Sequence, residues 1–203
     1  MMRLRELESS LQTLKGFNSP KIELEQYVTS GHLASQMLFM AQSSFNDILN
    51  KNVLDLGCGC GILSIGSIIL GSNYTLGVEI DPDAIEIAKS NLEIMELDET
   101  ERPDFIQADI RLFISLLKNK VMNPPFGTKN KGIDMIFLQL STKSIYSLHK
   151  SSTRKFIEKK VKEWGFKGEV LAEMKYDLPQ TMKIHKHKTL DIEVDFWRFE
   201  KLE

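Results

Sequence analysis

Val53-Leu54-Asp55-Leu56-Gly57-Cys58-Gly59-Cys60-Gly61 reads as a strand running into a turn of alternate glycines. A short apolar helix, Ile62 to Leu70, comes next. Glycine adopts positive φ without a Cβ penalty, so backbone N–H groups can approach a ligand where the helix begins. The alternation is common by itself and gains meaning from a preceding strand and a following helix. Both are present. Cys58 and Cys60 are small loop residues in this reading, and no metal is expected, because no second Cys/His pair accompanies them.

Outward from this turn the rhythm of strand, turn and helix repeats. Thr75 to Asp81 is a second strand, and Glu79 stands about twenty residues beyond the glycines, where a carboxylate can accept from both hydroxyls of a ribose. Asp81 caps the helix Pro82 to Leu97. Asp104 to Asp109 is a third strand, again ending in an acid, and a fourth delivers Asn123. Open α/β sheets bind ligands beyond the carboxyl ends of their strands. The glycine turn, Glu79, Asp109 and Asn123 therefore converge on one crevice.

Asn123-Pro124-Pro125-Phe126-Gly127 is stiff, because proline fixes φ and lacks an N–H. The Asn123 amide oxygen and the Pro124 carbonyl can both accept from one –NH2 group. A planar amine held that way is oriented for attack on an electrophile, with Phe126 stacking on the ring that bears it.

The flanks complete one unit. Leu4, Leu7, Leu11 and Leu14 lie at helical spacing, Gly16 and Pro20 break that helix, and a second runs from His32 to Phe45 with Thr29 or Ser30 as cap. Its buried stripe is Leu33, Met37, Leu38 and Met40 or Ala41. Ser144 to Leu148 is a fifth strand, and Lys150 to Trp164 is a basic helix. Glu169 to Tyr176 and Leu190 to Phe199 are further strands, and the second alternates Ile192, Val194 and Phe196 with Asp191, Glu193 and Asp195. Two places are shorter than this architecture needs. Only Val121 and Met122 precede Asn123, and the helix from Ile133 meets Ser144 almost without a connection. The expectation is that the chain as written lacks residues near Lys120 and between Leu140 and Lys143.

At 203 residues, 42% hydrophobic and 27% charged, the composition is that of one globular domain, residues 1–203, with a helical part at 1–50 packing on it. A net charge of −2 means that a nucleic-acid partner must be held by local basic patches. Two closely spaced cysteines, no apolar leader and no long apolar run imply an intracellular, reducing setting (nucleus or cytoplasm) with no membrane.

Glycine turn, acidic strand ends and Asn-Pro-Pro-Phe together resemble the class I S-adenosylmethionine-dependent methyltransferases that act on planar amines. Within them, Leu24-Glu25-Gln26-Tyr27-Val28-Thr29, Asp55 to Gly61, Asn123 to Asn130, Tyr146 to Arg154 and Asp191 to Asp195 are similar to the ribosomal RNA N6-adenosine methyltransferases. The resemblance implies an α/β, Rossmann-like fold: a mostly parallel seven-stranded sheet with an antiparallel C-terminal strand, helices on both faces, and N-terminal helices. It implies S-adenosylmethionine as cofactor, an adenosine of small-subunit ribosomal RNA as substrate, and a small zinc-binding activator subunit as partner. Carried onto this chain, the cofactor contacts fall on Gln26, Thr29, Asp55, Gly57, Cys58, Gly59, Cys60, Gly61, Ile62, Glu79, Ile80, Asp109, Ile110 and Asn123. Asn123, Pro124, Pro125 and Phe126 hold the amine, and Lys129, Lys131, Lys150 and Arg154 are candidates for RNA contact. Relatives commonly carry Asp where this chain has Glu79. The usual strand order leaves strand three at an edge, so the activator is expected near Phe105 to Phe113.

Guanine N2, DNA adenine and glutamine amides are alternative targets for the same tetrad, and a catalytically silent RNA-binding scaffold is the non-enzyme alternative. A dinucleotide dehydrogenase shares the glycines but uses G-x-G-x-x-G spacing and has no need for Asn-Pro-Pro-Phe.

Overall fold

A computed structural model describes residues 2–110, 119–124, 144–179 and 189–202. Among these, seven strands form one sheet: β1 (Asn52–Leu56), β2 (Tyr74–Glu79), β3 (Asp104–Gln107), β4 (Asn119–Met122), β5 (Ser144–Lys150), β6 (Phe166–Pro179) and β7 (Thr189–Lys201). Their order is β3-β2-β1-β4-β5-β7-β6, and β7 alone runs against the direction of the other six. The strand order usual for the resembled fold puts strand three at an edge, and β3 is at an edge.

Among the described residues five helices accompany the sheet: α1 (Leu4–Leu11), α2 (Gly31–Phe45), α3 (Ile62–Ile69), α4 (Pro82–Ile94) and α5 (Arg154–Glu163). Successive strand residues point to opposite faces of a pleated sheet, and the two cores follow that alternation. Val53, Val121, Tyr146, Leu148 and Phe196 face α1, α2 and α3, where Leu7, Leu11, Met37 and Leu38 are buried. Leu54, Met122, Ile145, Trp197 and Phe199 face the other way, against Ile157 and Val161 of α5. The expected α2 stripe is present, completed by Ala41 rather than by Met40, which is only partly buried, and Ala34 joins it. Ser30 is the cap: its hydroxyl accepts from the Leu33 N–H.

Strand boundaries are where the sequence reading falls short. β6 and β7 extend beyond the expected limits, to Phe166–Pro179 and Thr189–Lys201. Antiparallel partners supply hydrogen bonds even to polar stretches that show no apolar alternation. Within β4 the chain is continuous at Lys120, and residues 111–118 before it lie outside the described residues. Lys120 pairs with Leu54 and Ile145, and Val121 with Asp55 and Tyr146, in unbroken register. The Lys120 side chain is fully buried, and burial pushes its amine down to about 8. Residues 140–143, the helix expected from Ile133 and the basic loop at 183–188 lie outside the described residues. No helix among the described residues is long and apolar enough to cross a membrane.

Candidate active site

The glycine turn is built against β2. The N–H groups of Gly57 and Cys58 both donate to the Val78 carbonyl, at 2.8 and 3.1 Å. Gly59 and Gly61 have φ of 52° and 84°, a region that side chains rarely tolerate. Space is as decisive as conformation: a Cβ on Gly61 would lie 2.9 Å from Phe105 of β3, and one on Gly77 of β2 would lie 2.6 Å from the same ring. Phe105 thus wedges the edge strand beneath the turn.

Glu79 closes β2 with its carboxylate turned back on the turn. It accepts from the Gly59 N–H at 2.9 Å and from the N–H groups of Ile80 and Asp81 at 2.9 and 3.0 Å. A carboxylate has about four acceptor sites, so three backbone donors leave capacity for a further hydroxyl. Burial raises the Glu79 pKa, and the three donors only partly offset it.

Asp55 lies deeper, 1% exposed. Its Oδ2 accepts from Ser64 of α3 at 2.6 Å, while Oδ1 is buried without a partner. Burial pushes its pKa up to about 7, the Ser64 bonds lower it, and Glu79 adds repulsion. An orphaned carboxylate oxygen in a cleft is a site for a cation or a donor. Cys58 and Cys60 are held as neutral thiols, Cys60 up to about 12, chiefly by burial.

Between α1 and α2 the chain crosses the open side of the turn. Asn91 of α4, fully buried, accepts from the Lys15 N–H and donates to the carbonyls of Lys15 and Cys60. The Phe17 ring lies over Gly59. Gln26 donates to Asp81 at 2.6 Å, and Lys21 pairs with Asp81 and Asp83 at 2.6 and 2.8 Å. Asp81 is thus a helix cap, accepting from the Asp83 N–H, and also the anchor of this crossing segment. Burial raises its pKa, but Lys21, Gln26 and the cap bond outweigh that and leave it lowered.

Asn123 emerges from β4 with Nδ2 donating to the Thr29 hydroxyl at 2.9 Å and to the Tyr176 hydroxyl at 3.2 Å. Its Oδ1 is buried and accepts from nothing. An amide whose donors are fixed and whose acceptor is empty is preset to receive an N–H.

These groups share one cleft of about 550 Å³. Gln26, Thr29, Asp55, Glu79, Ile80, Asp109, Ile110 and Asn123 line it, as do Gly57, Cys58, Gly59, Cys60 and Ile62 of the turn. Gly61 does not; it starts α3 and faces Phe105 and Ala88. Pro124 is buried beside Asn123, while Pro125, Phe126, Lys129 and Lys131 lie outside the described residues. Arg154 is committed elsewhere, to Asp195 through Nε and Nη2 at 2.7 and 2.6 Å and to Glu173 at 2.7 Å. Lys150 ends β5. Tyr176, Asn91 and Ser64 were not legible as site residues. Tyr176 is 53 positions from Asn123 and sits in a strand with no motif of its own.

Comparison with known proteins fits this geometry. The chain is 51% identical to the Danio rerio rRNA N(6)-adenosine-methyltransferase METTL5, over 98% of this chain and 99% of that protein. The chain belongs to the METTL5 family. The Drosophila melanogaster METTL5 is 48% identical, with 98% and 97% covered. A shorter match, residues 29–111, is to the model of the ribosomal protein L11 methyltransferase (PrmA) family, and it covers the glycine turn and the acidic strand ends. Among solved structures, a Pyrococcus horikoshii protein provisionally described as an RNA methyltransferase superposes with a TM-score of 0.89 at 37% identity, covering 100% of both chains. The METTL5 assignment thus rests on nearly the whole chain, the PrmA match on residues 29–111 alone.

Proposed function

We propose that this protein transfers a methyl group from S-adenosylmethionine to N6 of an adenosine in small-subunit ribosomal RNA. The observation that carries this reading is the buried, unpartnered Oδ1 of Asn123 in the lining of the cleft. The family membership of the chain supports the substrate class.

The residues present fit the cofactor. The orphaned Asp55 Oδ1 suits its ammonium group, the remaining acceptor site of Glu79 suits one of its ribose hydroxyls, and the positive-φ glycines let the backbone come close. S-adenosylmethionine, when bound, supplies an electrophilic methyl group on a sulfonium. The chain itself holds the nucleophile. Asn123 Oδ1 and the Pro124 carbonyl accept from the exocyclic amine, which turns the nitrogen lone pair toward the cleft. The amine held by these two acceptors would gain the methyl group that S-adenosylmethionine supplies, and one proton would pass from it to water. No side chain acts as a strong base in this scheme.

The exposed edge strand β3 supports the second part of the reading, an activator subunit adding along that edge. A monomer that is stable and fully active without any partner would contradict it.

The test is transfer of labelled methyl to small-subunit ribosomal RNA, followed by nucleoside digestion, with and without the activator and with Asn123→Ala as control. Label in N6-methyladenosine that vanishes in the variant is the expected result. Label in another nucleoside would overturn the substrate, and no label despite cofactor binding would overturn the activity.

A further inference from the structure

We infer that Tyr176, on the sheet strand β6, is a positioning residue that sets the orientation of the Asn123 amide for methyl transfer. The inference rests on the role proposed for Asn123 and extends it to the opposite half of the sheet.

An asparagine amide is nearly symmetric in shape, so its orientation is decided by what faces it. In the flipped orientation Asn123 would present –NH2 to the incoming amine, donor against donor, and the amine would lose its acceptor. Both amide hydrogens are instead satisfied by the hydroxyls of Thr29 and Tyr176. With Nδ2 donating to both, each hydroxyl faces Asn123 with a lone pair, and this pairing is the one that leaves Oδ1 empty. Tyr176 is 2% exposed, and burial holds its hydroxyl neutral by raising its pKa to about 12. The arrangement is thus insensitive to pH across the neutral range. Without the phenol oxygen one Asn123 amide hydrogen loses its acceptor, and the orientation that leaves Oδ1 empty loses one of the two bonds that hold it.

The test compares wild type, Asn123→Ala and Tyr176→Phe in the 203-residue chain with the activator subunit present. Single-turnover methyl transfer, S-adenosylmethionine affinity by calorimetry and KM for RNA are measured together. Tyr176→Phe is expected to lose about tenfold in rate, the scale of one hydrogen bond, with cofactor affinity and KM within about twofold of wild type. In amide NMR the Asn123 side-chain –NH2 signals, identified by their loss in Asn123→Ala, should exchange with solvent about tenfold faster in Tyr176→Phe. Trifluorotyrosine at position 176 keeps the ring and weakens its oxygen as an acceptor, so an intermediate rate is expected from a protein that folds as wild type. Unchanged turnover in Tyr176→Phe while Asn123→Ala is inactive would overturn the inference alone. A loss of cofactor affinity in proportion to the loss of rate would overturn it as well, by showing a merely structural role. Full activity of Asn123→Ala would instead remove the reading beneath it.

Discussion

At the carboxyl ends of β1 and β4, Asp55 and Asn123 each bury an oxygen that accepts from nothing. On β7, Asp195 is as deeply buried, yet it takes two bonds from Arg154 and one from Ser151. The same pairing appears at the other end of that half of the sheet, where Arg198 bonds Tyr146 and Glu200 and approaches Asp47. An unpartnered buried acceptor costs stability in the free protein. The parallel half tolerates that cost where the cleft opens, and the antiparallel half satisfies its charges internally. The difference separates residues that await a ligand from residues that hold the fold. It also changes the expectation for Arg154, which belongs with the second group despite its place in a basic helix.

The largest break in this comparison is Asn123→Ala. It removes one preorganised acceptor and is expected to lower the rate about 10²- to 10³-fold, measured as single-turnover methyl transfer, while the urea midpoint is no lower than wild type. Stability that fell with activity would place Asn123 with the structural group.

Next comes the pH dependence of Asp55. Its carboxyl is pushed up to about 7, so the folded free protein keeps a proton there that the unfolded chain has already released. Stability from this group is therefore present at low pH and lost as pH rises from about 4 to 7. A cationic ligand prefers the ionised form, so S-adenosylmethionine affinity should rise about tenfold between pH 6 and 8. Calorimetry across that range checks it. Asp55→Asn should flatten the curve, and an unchanged slope in the variant would mean that another group titrates.

Asp195 should behave in the opposite sense. Burial raises its pKa, but Arg154 and Ser151 overcome this and leave it lowered. Its contribution is present above the unfolded value of about 3.9 and is lost as pH falls through the lower folded value. Urea titrations should show Asp195→Asn destabilised at neutral pH, with the gap to wild type closing in acid. The smallest effect concerns RNA. Lys129→Ala and Lys150→Ala should each reduce the salt slope of RNA affinity by about one. Arg154→Ala should leave that slope unchanged and lower the urea midpoint instead.

Much of this was legible because it is local. The glycine turn, the cap at Asp81 and the period of α2 depend on residues within one or two turns of chain, and the succession of strand and helix dictates a crevice at the strand ends. Other features depend on distant partners that no local pattern encodes. β6 brings Tyr176 to Asn123, and Asn91 ties α4 to the Lys15 carbonyl. Lys120 reads as an interruption because a lysine rarely enters a central strand, yet its backbone pairs on both sides. Glu79 illustrates a subtler gap. Its position was readable, but three of its acceptor sites serve the protein's own backbone.

Phe105 has a consequence for how this sequence can change over time. Its ring occupies the volume that a side chain at Gly61 or Gly77 would need. A larger residue at either glycine demands a smaller one at Phe105, and a smaller residue at Phe105 alone opens a hole beneath the glycine turn. Three positions spread over 45 residues of chain (61 to 105) are thus bound into one unit of inheritance. Divergent relatives are expected to replace them together or not at all.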